Sequence, residues 1–142
     1  MSAFNLHPQL AADTLVVGDL PLCRVLLMND CQYPWLILVP RRGQLRELYE
    51  LDETDLAQFY QESCQVGRRL MVHFAGDKLN VAALGNMVPQ LHVHHIVRFQ
   101  QDPAWPAPVW GKLPARPYES AQLAELKLAL QQLLAPVGLS PL

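Results

Sequence analysis

Apolar residues in the first third of the chain fall into short runs. Thr14–Val17, Arg24–Met28 and Trp35–Val39 are β-branched or leucine-rich, and they close at Gly18-Asp19, Asn29-Asp30 and Pro40. Runs of this length bounded by Gly, Asn, Asp or Pro predict strands. The turn-rich NDCQYP between the second and third predicts a hairpin connection. The period then changes. Leu56, Phe59, Tyr60, Ser63, Val66 and Leu70 recur at helical spacing behind Asp52, with Glu53 and Asp55 in the first turn. Asp52 is the expected N-cap of a helix reaching about Val72, since its side-chain oxygen meets unpaired amides and early negative charge suits the helix dipole. Gly67 lies inside that helix and predicts close packing against a sheet.

Leu79–Leu84, stopped by Gly85-Asn86, and Leu91–Phe99 read as two more strands. Residues 100–117, QQDPAWPAPVWGKLPARP, carry five prolines and two tryptophans. Such a stretch cannot continue a helix or a central strand, so an extended surface arm is expected. Trp105 and Trp110 then need cover from this subunit or from a partner. A last helix runs from about Glu119 to Ala135, with Leu123, Leu126, Leu130 and Leu133 on one side and Pro136 ending it. Hairpin, helix, hairpin, proline arm and helix together predict an α+β domain on an antiparallel sheet.

Composition narrows the function. The 142 residues fit one compact domain, 1–142, and a net charge of −2 argues against a general nucleic-acid footprint. Cys23, Cys31 and Cys64 show no paired spacing and read as reduced thiols of a cytosolic protein. No secretory signal is visible, and the longest apolar run, Trp35–Pro40, is too short to span a bilayer. A cytoplasmic protein without nucleic-acid or membrane partners is expected.

The chemistry concentrates in PQLHVHHIVRF, residues 89–99, which holds three of the five histidines. On a strand, Gln90, His92 and His94 share one face while Leu91, Val93 and His95 take the other. A His-x-His pair suits a divalent cation, but the neighbouring same-face positions, Gln90 and Ile96, supply no third ligand. The imidazoles can also simply satisfy neighbouring backbone groups. Nucleophilic catalysis is the third reading. A neutral imidazole attacks phosphorus, provided its other nitrogen is held protonated and donors meet the phosphoryl oxygens.

QLHVHHIVRF resembles the signature of the histidine-triad (HIT) superfamily, His-φ-His-φ-His-φ-φ with φ apolar. In that register Gln90 takes the first triad position, His92 the second and His94 the third, and Arg98 matches an arginine four residues on. VLLMNDCQYPWLILVPR is similar to the family's first strand, ribose loop and following strand, so the resemblance places Asn29 and Asp30 on the ribose and Met28 and Cys31 beside the base. NVAALGNMVPQ is similar to the segment before the triad and places Asn86, Met87 and Val88 near the phosphates. The tryptophan arm is like one that crosses a homodimer in relatives. The likeness covers about residues 10–111, leaving the helix at about 119–135 outside it.

The resemblance implies a HIT-like antiparallel sheet with one central helix, to which the residues themselves add a C-terminal helix. It implies a hydrolase or transferase in which His92 attacks the α-phosphate of a purine nucleotide or conjugate and forms a nucleotidyl-histidine. The phosphoramidase and dinucleoside polyphosphate hydrolase types both stay open. His94 would donate to a phosphoryl oxygen or the bridging atom, Arg98 would reach a phosphate, and neither cofactor nor metal is called for. A homodimer through the sheet edge and the Trp105/Trp110 arm follows. Two positions depart from the pattern: Gln90 replaces the first triad histidine, and Trp35 stands where many relatives have histidine. If those positions face each other, a titratable pair is lost together. Gln90 keeps hydrogen bonding but cannot shuttle protons near neutral pH. Two rival functions remain: a nucleotide-binding regulatory module with little or no turnover, and a metal-dependent hydrolase using His92 and His94 as ligands.

Overall fold

The computed structural model describes residues 3–142. Its strands are β1 (Thr14–Asp19), β2 (Cys23–Met28), β3 (Trp35–Pro40), β4 (Lys78–Ala82), β5 (Val93–Arg98) and β6 (Ser140–Pro141). They form one sheet in the order β4-β5-β3-β2-β1-β6, and every pairing is antiparallel. Helices α1 (Pro8–Asp13), α2 (Glu53–Phe74) and α3 (Ser120–Leu134) complete this α+β architecture. The three N-terminal strands and both long helices lie where the hydrophobic pattern put them. Helix α1 and the two-residue β6 were not anticipated.

The sheet is covered on both faces. One carries Val25, Leu36, Leu38 and Val97 against Phe59, Val66 and Leu70 of α2 and Leu130 and Leu134 of α3. The other carries Leu26, Ile37 and Ile96 against Leu10 of α1 and Ala104 and Val109 of the proline-rich segment. Every residue of β3 and β5 is therefore buried, so β3 reads as a continuous apolar run, while the polar residues of β5 are buried with partners. Placing the arm back on its own sheet follows from the same need, since an apolar face left to water costs roughly 25 cal/mol for each Å² exposed.

Polar side chains fix how α2 meets the sheet. Asp52 caps it as expected, accepting from the Asp55 amide at 2.8 Å. Glu62, buried in the middle of α2, accepts from the amides of Leu22 and Cys23 at 2.8 and 2.9 Å and so pins the start of β2 to the helix. At Gly67 a Cβ would stand 2.6 Å from the side chain of Leu79 on β4, the close approach its position in the helix predicts. Among the described residues no helix is long and apolar enough to cross a membrane.

Candidate active site

His94 and His95 are consecutive on β5, opposite Ile37 and Leu36 of β3, so their rings project to opposite faces. His95 points into the helical layer. Its Nε2 lies 2.7 Å from the Ser63 hydroxyl of α2 and its Nδ1 3.1 Å from the Val93 carbonyl. A carbonyl only accepts, so Nδ1 carries the proton and Ser63 donates to Nε2. His95 is thus a structural histidine, as its turned-away position implies.

His94 faces the other way, toward His92, whose ring centroid is 5.0 Å from its own. His92 precedes the strand, and its Nδ1 stands 2.7 Å from the backbone carbonyl of Gln90. That carbonyl holds the proton on Nδ1, leaving the lone pair of the neutral ring on Nε2. His94 has the opposite arrangement. The indole Nε1–H of Trp35 donates to its Nδ1 at 3.0 Å, and an indole can only donate. In the neutral ring the proton is therefore on Nε2. Trp110 closes over the pair, 5.0 Å from His94 and 5.9 Å from Trp35 between ring centroids. Cover for this tryptophan comes from its own subunit.

Burial first, and then the neighbouring His92 and His95, push the pKa of His94 down to about 3. Burial pushes that of His95 down to about 4, against an opposing bond to the Val93 carbonyl. The direction of the stability change follows. Both rings are neutral in the native protein at pH values where unfolded imidazoles, near 6.5, already bind protons. Stability is fully present above that value and is lost as pH falls toward 4, because the unfolded state binds more protons throughout the window. Thermal melts at about pH 5.5 should show uptake of about two protons on unfolding, and His95→Gln should remove about one of them. Equal uptake by both proteins would show that His95 does not titrate in this way.

The other residues singled out by sequence divide into three groups. Gln90 sits beside His92 in sequence, but its side chain turns to the N-terminal segment: Oε1 accepts from the His7 amide and Nε2 donates to the Asn5 carbonyl, both at 2.8 Å. Its hydrogen-bond partners and that of Trp35 are distinct. His92 opens onto a small cavity that Arg46 and Glu47 also line. Asn86 lines a neighbouring cavity of about 380 Å³ that shares those two charged residues. Met87 is exposed and Val88 is buried under the sheet.

The turn carrying Asn29, Asp30 and Cys31 is bound by the end of the proline-rich segment and the residue that follows it. Asn29 Oδ1 accepts from the Tyr118 amide, and Asp30 Oδ1 accepts from Gln32 and the Arg116 amide. The Cys31 amide donates to the Arg116 carbonyl at 2.7 Å, and Met28 is half-buried behind them. Residues 114–118 thus lie along the loop expected to meet ribose.

Arg98 requires a correction. It is 1% exposed and donates to both carboxylate oxygens of Asp102, to Asn80 Oδ1 and to the Ala107 carbonyl. Its guanidinium also lies 5.7 Å from the Tyr33 ring and 5.8 Å from the Trp105 ring. A group committed to so many partners ties the arm to the sheet and is not free to meet a phosphate. Arg46 and the placement of Trp110 had no signal in the sequence pattern. Among the described residues no group of three or more His, Cys, Asp or Glu side chains could hold a metal ion.

A family model of the HIT domain matches residues 9–101. The chain belongs to the HIT family. A histidine triad protein from Marinobacter aquaeolei VT8 is 55% identical to this HIT protein over 96% of its length and 100% of the other chain, with a TM-score of 0.94. One from Bradyrhizobium japonicum is 46% identical, covering 92% and 98% of the two chains at a TM-score of 0.89. A hypothetical histidine triad nucleotide-binding protein from Sulfolobus tokodaii shares the fold at 17% identity, with 87% and 85% covered and a TM-score of 0.65. No curated protein matches the sequence. Both first relatives span nearly the whole of this HIT chain.

Proposed function

We propose that this HIT-family chain hydrolyses or transfers a nucleoside phosphate derivative through attack of His92 on the α-phosphorus. The observation that carries the reading is the pair of opposite tautomers. His92 Nε2 holds a lone pair because the Gln90 carbonyl keeps Nδ1 protonated. His94 Nε2 holds a proton because Trp35 occupies Nδ1. A nucleophile and a hydrogen-bond donor therefore stand with ring centroids 5.0 Å apart. Phosphoryl transfer to imidazole needs both, since charge shifts onto the phosphoryl oxygens as the new bond forms.

In the forward step the Nε2–P bond forms and the bond to the leaving group breaks. Water then attacks phosphorus, the electron pair of the P–N bond returns to Nε2, and the surplus proton of water passes to solvent. Gln90 stands at the first triad position and contributes its carbonyl to His92, while its side-chain amide holds the N-terminal segment. The test is intact-mass spectrometry of acid-quenched protein after mixing with a dinucleoside polyphosphate. A covalent nucleotidyl adduct mapped by peptide digestion to His92 is expected. Nucleotide binding without any adduct would sink the enzymatic reading and favour a regulatory binding module.

A further inference from the structure

The groups around His92 bear on which leaving groups the site can release, an inference that rests on His92 acting as proposed above. When Nε2 bonds to phosphorus, the departing atom takes the electron pair of the bond that breaks. An amine cannot leave this way until a proton reaches its nitrogen, whereas a phosphate oxygen departs as a stable anion. The question is whether any group in the site carries a proton to give.

Each candidate fails for a chemical reason. His94 has its Nδ1 tied to the Trp35 indole, so its remaining proton belongs to a neutral imidazole, a very weak acid. The titratable neighbours acting on it are His92 and His95, and no carboxylate pairs with its ring among the described residues. Trp35 spends its single donor on His94. With histidine at position 35 the ring could pass a proton on and be reloaded; an indole cannot accept one. Gln90 does not titrate, and both ends of its amide are bonded to the N-terminal segment. The Nδ1 proton of His92 lies on the Gln90 carbonyl, and His95 lies across the sheet with Ser63.

The charged side chains lining the cavity onto which His92 opens are Arg46 and Glu47. The Arg46 guanidinium complements a departing anion. When ionised, Glu47 accepts rather than donates. Trp110, which packs against His94 with ring centroids 5.0 Å apart, has only an indole N–H and supplies no acid.

We infer that Trp35 and Gln90 together leave this site without a general acid, so that it cleaves nucleoside phosphoanhydrides, whose leaving oxygen departs as a phosphate anion, in preference to phosphoramidates of basic amines. Trp35 acts here as a positioning residue, fixing His94 as a neutral Nε2–H donor to a phosphoryl oxygen. The step balances without further reagents: the P–O bond to the leaving phosphate breaks, the Nε2–P bond forms, and no proton moves.

The experiment compares kcat/KM for a dinucleoside polyphosphate and for an adenosine 5′-phosphoramidate of a fluorescent alkylamine, with adduct formation followed by mass in both cases. The anhydride should be favoured by about 100-fold or more, the size of a missing acid catalyst. Trp35→His should narrow that ratio at least about tenfold. Its ¹⁵N spectrum should show His94 as a tautomer mixture where the parent shows one form. A parent protein that forms the His92 adduct from both substrates at similar rates overturns this inference while the His92 assignment stands. Failure of any substrate to form an adduct overturns both. Should Trp35→His fail to fold, the parent's ratio and the His94 tautomer still decide the matter, since a protonated Nδ1 in the parent would refute the fixed donor.

Discussion

His92→Ala is expected to lower kcat/KM for a nucleoside phosphoanhydride by at least about three orders of magnitude and to abolish the covalent adduct. The size follows from what is lost. No other imidazole nitrogen on that face has a free lone pair, because His94 accepts from Trp35 at Nδ1 and carries its proton on Nε2. The variant should fold normally, since among the described residues the His92 side chain hydrogen-bonds only to the carbonyl two residues away. Circular dichroism and the melting temperature therefore serve as controls beside steady-state kinetics. Activity within tenfold of the parent would remove His92 from the role of nucleophile. His94→Ala should cost less, about 100-fold to 1,000-fold in kcat, as expected for one donor to developing charge. It should still allow slow labelling of His92.

The largest effect on stability is expected from Arg98→Ala, at about 3–5 kcal/mol by urea denaturation. Arg98 and Asp102 meet at 2.7 Å with side chains only 2% and 3% exposed, so removing the arginine strands a carboxylate out of water. Burial alone would raise the pKa of Asp102. The bond from Arg98 and the amides of Phe99, Trp105 and Ala104 outweigh it and hold the carboxyl below its ordinary range. A depressed carboxyl contributes stability that is present above the unfolded value and lost as pH falls through the folded one. Arg98→Lys should recover only part of the loss, because an ammonium cannot match the two-oxygen contact and reach Asn80 and Ala107 as well. A loss below about 1 kcal/mol would mean that the arm is held by its apolar contacts alone.

Much of the fold was legible in the sequence for simple reasons. Three apolar runs ending in Gly, Asn, Asp or Pro announced β1, β2 and β3, and an acidic cap ahead of a regular apolar stripe announced α2. Helix α1 escaped because six residues starting at a proline give too little periodicity to detect. Strand β6 escaped because two residues carry no alternation at all. The closeness of the His92 and His94 rings follows from their spacing, which puts both on one face. Arg98 was misplaced because its partner Asp102 lies in a loop whose path depends on tertiary packing. Trp35 was noticed only as a missing histidine. That its lone N–H sets a neighbour's tautomer depends on the pairing of β3 with β5, which strand propensity does not specify.

The hold of Gln90 on Asn5 and His7 has a practical side for anyone preparing the protein. Residues only a few positions from the N-terminus are anchored two residues from His92 in sequence and line, with Arg46, a cavity of about 490 Å³. A polyhistidine tag fused there puts a string of extra imidazoles near His92, where they can bind metal or compete with it in an assay of the proposed activity. The C-terminus ends beyond β6, at the opposite edge of the sheet from β4 and four strands from β5. Affinity handles belong at that end, and kinetics from N-terminally tagged material should be read only after the tag has been cleaved.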